Sequence, residues 1–390
     1  MKILHVADIH SRDKDIEEAE KCCDFMVDTA EKEKVDLTAI AGDCFDSRDI
    51  KLDSRAAKLI IRTVSRLADI APVAVIVGTA SHDGTAPEIL EYARGRFPVY
   101  VGITPQLIDL PNAVVTLVPQ PTKQFFNQGD IQTSNEAIAH GMAGLFAGFG
   151  AQAAERGPVP HILVGHWNVS GSKLPTGQTL TGQDIDISVD QMMLADPDLI
   201  CLGHIHMRQQ LGDRTFYPGS PFPLNWGENT EHGFYIHTLR GRKLVSSEFI
   251  QTPCKKLCRV SADYTKEPMP EQCEDFAHQL VSEIVSRECE NAFVRCDFTV
   301  WQDEAGLIPK DAIKQLYLDA GALDVDIKIN AVPRETIRAA AVLEAETLKD
   351  EFAEMAKLRG EEIDPETLSL AEQLETVPAE ELLKTIAEAA

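Results

Sequence analysis

The sequence predicts an α/β sandwich. Two observations carry that reading: short strands that are apolar along their whole length, and helical patterns that alternate with them. A strand apolar on both faces belongs to a sheet that is covered on both sides. A third observation, a change of rhythm near Thr252, predicts a second, smaller domain followed by a helical end.

Taken in order, "KILHVAD" is the first strand, and Asp13 to Lys34 is a helix with Ile16, Ala19, Cys23, Met26 and Ala30 at helical spacing. "VDLTAIAGD" is the next strand, and a helix with Leu52, Ala56, Leu59, Thr63 and Leu67 on one face follows it. The strands "PVAVIVG", "VVTLVPQ", "HILVGH" and "DLICLGH" follow within the first part, which runs over residues 1–251. From Thr252 to Val332 the order is strand "KLCRVSADY", helix Glu271 to Arg287, strand "AFVRCDFTVW", helix Pro309 to Asp319, strand "DVDIKIN". Residues 333–390 are helical in pattern. Ile337, Ala341, Leu348, Phe352 and Met355 mark one amphipathic helix, and Asp364-Pro365 and Val377-Pro378 open two short ones, with proline at the first helical position.

With 390 residues, 44% of them hydrophobic, the chain has ample material for a sizeable core. Its net charge of −25 argues against unaided binding to nucleic acid, which needs clustered Lys and Arg. No apolar run is long enough to cross a bilayer, and "MKILHVADIH" meets a charge at Asp8 before a signal peptide can develop, so a cytoplasmic protein is expected. The nine cysteines are scattered and read as reduced structural thiols.

Where each strand stops, a potential metal ligand appears: Asp8 and His10, then Asp43, then Ser81-His82-Asp83, then His166, then His204 and His206. In open α/β sheets the loops at the carboxyl ends of strands meet at one crevice. Asp8 and His10, like His204 and His206, are two residues apart and point the same way in an extended segment. Imidazoles mixed with carboxylates suit Mn²⁺, Fe²⁺ or Zn²⁺. One carboxylate, Asp43, is placed to bridge two ions about 3.5–4 Å apart, an arrangement that activates water and stabilises in-line displacement at phosphorus.

The ordered set D-x-H, G-D, H-D, G-H, G-H-x-H resembles the calcineurin-like metallophosphoesterase family. More closely, residues 1 to about 330 resemble the SbcD-type DNA repair nuclease subunits, relatives of the eukaryotic meiotic-recombination nuclease. The resemblance rests on "ILHVADIH", "AIAGDCFDSRD", "LICLGHIHMRQQ" and, most specifically, "FYPGSPFPLNWGE" followed by "HGFYIH". It implies a four-layer metallophosphoesterase sandwich with a smaller α+β capping domain and a helical C-terminal tail. It also implies two divalent metal ions, taken as Mn²⁺: one held by Asp8, His10, Asp43 and His206, the other by Asp43, His166 and His204. The family's third strand ends in G-N-H-D, where the Asn completes the second shell and the His assists the leaving oxygen. Here Ser81, His82 and Asp83 align with it, with "TA" inserted after Gly78. Ser81 is the departure, its hydroxyl reaching an ion directly or through a water, or replaced by Thr79. His82 and Asp83 are the expected catalytic residues. For His82 the competing role is a hydrogen bond to a carboxylate such as Asp46 that holds the loop.

The resemblance further implies DNA as substrate, an SbcC-type ATPase gripped through the C-terminal helices, and a homodimer formed through the helices at Asp13 to Lys34 and Lys51 to Ala68. Arg55, Lys58, Arg62 and Arg66 stripe one helix face and are candidates for phosphate contact, as are Lys255, Lys256 and Arg259. Two rival readings are a phosphoesterase acting on small phosphate esters and a non-catalytic DNA-end scaffold with a weakened second metal site.

Overall fold

The computed structural model describes residues 1–121, 135–173, 186–228, 231–270, 289–334 and 345–378, together with 277 and 342. The chain divides into two compact units. One comprises Met1–Ala262, Pro268–Phe298 and Ile308–Ile329; the other comprises Asp263–Glu267, Thr299–Leu307 and Asn330–Ala390.

The first unit opens with β1 (Lys2–Val6), α1 (Ile16–Glu33), β2 (Leu37–Ile40), α2 (Arg55–Ala68), β3 (Val73–Ile76) and β4 (Val99–Gly102). It continues through β5 (Gln106–Leu110), β6 (Ala113–Val118), α3 (Asn135–Ala154), β7 (His161–His166), the short pair β8 (Asn168–Val169) and β9 (Asp186–Ile187), α4 (Val189–Met193) and β10 (Leu199–Gly203). After β11 (Gln209–Leu211) and β12 (Thr215–Tyr217), the hairpin β13 (Gly233–Arg240) and β14 (Lys243–Gln251) returns to the first sheet. One six-stranded sheet has the order β14-β13-β1-β2-β3-β4, and the other the order β11-β12-β10-β7-β6-β5. Strands β1 to β4 run parallel, as do β6, β7 and β10, while β13 pairs with β1 antiparallel.

Four layers follow from side-chain alternation. Ile3, Leu37, Ala39, Ala74 and Ile76 of the first sheet and Leu117, Ile162, Val164, Leu199 and Cys201 of the second form one core between the sheets. Their neighbours Leu4, Val6, Ile40, Val73 and Val75 pack on α1 and α2, and Leu163, Ile200 and Leu202 pack on α3 and α4. Both faces of each central strand are therefore buried, which is why the strands read as unbroken apolar runs. The sheets approach closely: a Cβ on Gly203 would lie 2.0 Å from the Ala41 carbonyl oxygen.

Helix α2 starts later than its apolar spacing predicts. Ser54 caps it, accepting from the Ala57 amide, and leaves Leu52 outside the helix and 55% exposed. The cationic stripe on α2 faces acids of α1: Arg62 pairs with Glu20 at 2.6 Å, and Arg66 with Asp24 and with Asp28. Arg259 likewise pairs with Asp297 at 2.6 Å. These cations are engaged within the fold.

β15 (Lys256–Asp263), β16 (Ala292–Trp301) and β17 (Asp324–Val332) form a three-stranded sheet, with α5 (Lys310–Asp319) ahead of β17. The helix expected over Glu271 to Arg287 lies almost wholly outside the described residues. In the second unit, α6 (Leu348–Arg359) is capped by Thr347, which accepts from the Asp350 amide. Of the helix expected from Ile337 to Met355, the part from Leu348 onward forms, its first free amides met by the Thr347 side chain, while Ile337 and Ala341 lie outside the described residues. Asp364 and Pro365 open α7 (Pro365–Thr376) as expected, and the helix expected beyond Pro378 lies outside the described residues. Among the described residues no helix is long and apolar enough to cross a membrane.

Candidate metal centre

The backbone just beyond the parallel strands is held in a sparsely populated conformation. Asp8, His10, Asp43 and His204 have φ of 53°, 43°, 49° and 96°. Side chains with a Cβ avoid this region, although Asp and His tolerate it better than most, and such residues cluster where a site demands a fixed geometry. Gly42, with φ of 86°, makes room for the neighbouring imidazole: a Cβ there would lie 2.5 Å from His166 Nδ1.

Two ligand groups form. Asp8, His10 and His206 offer atoms within 4.8 Å of one another, and so do Asp43, His166 and His204. Asp43 links them, its Oδ2 lying 3.5 Å from His10 Nε2 and 3.3 Å from His166 Nε2. The Nε2 atoms of His10 and His206 face each other at 3.1 Å. A third group, His10, Asp46 and His82, adjoins the first.

This donor set fits divalent cations. His166 Nδ1–H donates to the Ala41 carbonyl at 2.7 Å, which turns the Nε2 lone pair toward the Asp43 carboxylate. His206 Nδ1–H donates to Glu228 Oε1 at 2.9 Å and so presents its own Nε2 to His10. Asp8 Oδ1 accepts from the His204 amide at 2.8 Å, while Asp8 Oδ2 and His10 Nδ1 are buried without a hydrogen-bond partner. A buried carboxylate oxygen of Asp8 that receives no donor, beside the imidazoles of His10 and His206, calls for positive charge. Protonation tells the same story. Burial pushes the Asp8 carboxyl up to about 6 against the pull of His166 and His206. Burial alone would lower His166, yet Asp43 carries it up to about 9, a place for positive charge that a cation takes over from the proton. Burial and then His166 push His204 down to about 3, leaving it neutral, as a ligand must be.

The loop after β3 departs from expectation at Ser81. Ser81 is exposed, its carbonyl accepting from the Arg48 amide at 3.1 Å, and the loop does not bring it to either group. Thr79 stands there instead. Its amide donates to Asp43 Oδ1 at 2.5 Å, its hydroxyl donates to Asp43 Oδ2 at 3.0 Å, and that hydroxyl lies 3.3 Å from His166 Nε2. The cause is Gly78. A Cβ on it would lie 2.3 Å from both the Asp43 amide and Oδ1, so the chain passes hard against Asp43 and the next side chain meets that carboxylate. The expectation of Ser81 is corrected accordingly. Asp83 is fully buried, accepting from the Phe45 amide at 3.0 Å and from the Gly78 amide at 2.8 Å. Oδ1 thereby ties the loop to the turn after β2, and Oδ2 closes the loop on itself at Gly78. Burial and then Asp43 push its carboxyl up to about 7.

His82 is half-buried and meets the His10 ring edge-on, with 4.6 Å between centroids. Its Nδ1–H donates to the Asp46 backbone carbonyl at 2.9 Å, so Nε2 is left open beside the first group. One residue that sequence reasoning missed is Glu228, 22 positions beyond His206. No spacing rule finds it, and the one signal is that it closes the "PLNWGE" segment.

Residues 1–208 match the sequence profile of the calcineurin-like phosphoesterase family. The chain is 28% identical over 288 residues to the SbcD subunit of the SbcCD nuclease of Escherichia coli K12, covering 65% of this chain and 68% of that one. It is 25% identical over 288 residues to the protein of the same description from Staphylococcus epidermidis, covering 68% and 73%.

Proposed function

The chain belongs to the calcineurin-like phosphoesterase family, and on that premise we propose that it is a Mn²⁺-dependent DNA phosphodiesterase. In this reading it is the nuclease subunit of an SbcCD-like repair complex, acting on duplex ends and hairpins. The observation that supports this best is the pair of His/Asp groups joined through Asp43. Asp8, His10, Asp43 and His206 hold one divalent ion and Asp43, His166 and His204 the other, with the Thr79 hydroxyl as a neutral oxygen donor beside the second. When bound, such ions supply Lewis acidity that activates water and stabilises charge on phosphorus oxygens.

The protein's own contributions are orientation and proton transfer. Strained turns fix Asp8, His10, Asp43 and His204 before substrate arrives, so the ligands need no reorganisation during reaction. His82, anchored through Nδ1–H on the Asp46 carbonyl, acts as general acid in its imidazolium form, giving the Nε2 proton to the leaving 3′-oxygen and ending as the neutral imidazole. Residues 252–332 serve as a capping domain for DNA, and residues 333–390 as the grip on an SbcC-type ATPase. Phe352, Met355, Leu358, Leu370 and Leu374 of α6 and α7 are exposed, which supports that grip. An acidic chain of net charge −25 gains DNA affinity from such a partner. The names of the E. coli and S. epidermidis relatives support the nuclease assignment. A homodimer through α1 and α2, in the cytoplasm, completes the reading.

The test incubates purified protein and its His82→Ala variant with Mn²⁺ and end-labelled duplex and hairpin DNA, and reads product lengths on a denaturing gel. Shortening by the wild type that falls about 10²–10⁴-fold in the variant is expected. Intact DNA with and without an SbcC-type ATPase, alongside turnover of a small phosphate ester, would replace the nuclease with a small-substrate phosphoesterase.

A further inference from the structure

The segment Gly219 to Glu228 lies across the turn that carries His206. Gly219, with φ of 75°, brings the backbone so close that a Cβ would lie 2.6 Å from the His206 carbonyl oxygen. Phe222 then anchors the strap in the core shared with α1 and α2. Arg12 donates to the Leu224 carbonyl at 2.5 Å, and Asn225 accepts from the Gly227 amide at 2.8 Å, closing a tight turn. That turn delivers a carboxylate, Glu228, which is 4% exposed.

Three hydrogen bonds to the Glu228 carboxylate serve one geometry. Leu224 donates its amide to Oε2 at 2.8 Å, and the Asn225 side chain donates to Oε1 at 2.8 Å. Both hold the carboxylate still. His206 Nδ1–H then donates to Oε1 at 2.9 Å. The His206 side chain is one-quarter exposed, so packing alone does not fix its ring. His166 is fixed in another way, by a backbone carbonyl.

We propose that Glu228 is a positioning residue for His206: the strap exists to hold a carboxylate that keeps the proton on Nδ1 and aims the Nε2 lone pair at Asp8 and His10. This rests on the reading that Asp8, His10, Asp43 and His206 bind a divalent ion. A carboxylate behind a ligating imidazole sets both its tautomer and its orientation, and loss of such a partner costs roughly 10–100-fold in metal affinity.

The experiment titrates Mn²⁺ into the full-length protein by calorimetry, using wild type, Glu228→Ala, Glu228→Gln, His206→Ala and the double variant His206→Ala/Glu228→Ala. The expected result is that Glu228→Ala weakens one of two sites about 10–100-fold and leaves the other unchanged. Glu228→Gln, whose amide oxygen still accepts from Nδ1–H, recovers most of that loss. In the His206→Ala background the Glu228→Ala change has no further effect, because the two residues act as a unit. Wild-type affinity at both sites in Glu228→Ala, or an undiminished loss in the His206→Ala background, overturns the proposal. Independently of any variant's folding, ¹⁵N NMR of the metal-free wild type reads the His206 tautomer: Nδ1–H is expected, and Nε2–H overturns the proposal. A wild type that binds no Mn²⁺ instead removes the metal reading beneath it.

Discussion

Gly78 and Thr79 act as a pair: the first lets the chain touch Asp43, and the second places a hydroxyl between Asp43 and His166. Thr79→Val keeps the side-chain shape and removes the hydroxyl. It is expected to weaken one Mn²⁺ site about tenfold by calorimetry, the low end of what a lost supporting contact costs, while Ser81→Ala leaves both sites unchanged. The reverse outcome would return Ser81 to the metal. Asp83 makes a different kind of contribution. An amide in its place accepts through one oxygen where the carboxylate accepts through two, so Asp83→Asn strands a buried amide of Gly78 or Phe45. A loss of about 1–3 kcal/mol in urea denaturation is expected, with unchanged Mn²⁺ affinity at both sites. A large fall in affinity without loss of stability would show that Asp83 belongs to the reaction. These residues also mark how far sequence reading reaches. Asp8, His10, Asp43, His166, His204 and His206 were legible because each ends a strand. Ser81 was misplaced because alignment of a loop carrying two inserted residues says nothing about which side chain turns inward.

Elements explain what the charge pattern left ambiguous. The stripe Arg55, Lys58, Arg62 and Arg66 has the same helical spacing whether it meets phosphate or protein. Only the position of α1 shows that Glu20, Asp24 and Asp28 neutralise its later half. Exposed pairs of this kind contribute less than about 1 kcal/mol each, so Arg66→Ala should lower stability slightly and leave DNA affinity at fixed salt unchanged. A marked loss of DNA affinity would restore the stripe as a phosphate contact. The start of α2 rests on a single hydroxyl, that of Ser54. Ser54→Ala is expected to cost about 1 kcal/mol in thermal or urea unfolding. Periodicity placed the helix but not its end, because Leu52 fits the apolar spacing while the free amides of the first turn are satisfied from position 54.

At the scale of the whole molecule, two sheets facing each other through small residues bring the ends of β1, β2, β3, β7 and β10 together. Ions held there would cross-link the loops that carry Asp8, Asp43, His166 and His206, and binding to the native state alone adds about 2.7 kcal/mol when the free ion is at 100 times its dissociation constant. Mn²⁺ should therefore raise the melting temperature, and His166→Ala should lose part of that rise without losing the fold. An unchanged melting temperature at saturating Mn²⁺ in the wild type would contradict the site. By itself the sequence determined the α/β class, the order of the central strands β1, β2, β3, β6, β7 and β10, and which residue types stand at the strand ends. Those follow from local periodicity and from the burial of both strand faces, each visible within a few residues. Only the tertiary structure decided that Thr79 and not Ser81 meets Asp43, that Asp83 clamps a loop, and that Glu228 reaches His206. Each of these joins residues from separate loops or carries one across a tight turn, and their meeting is set by how close the backbones pass, a quantity that no spacing in the chain records.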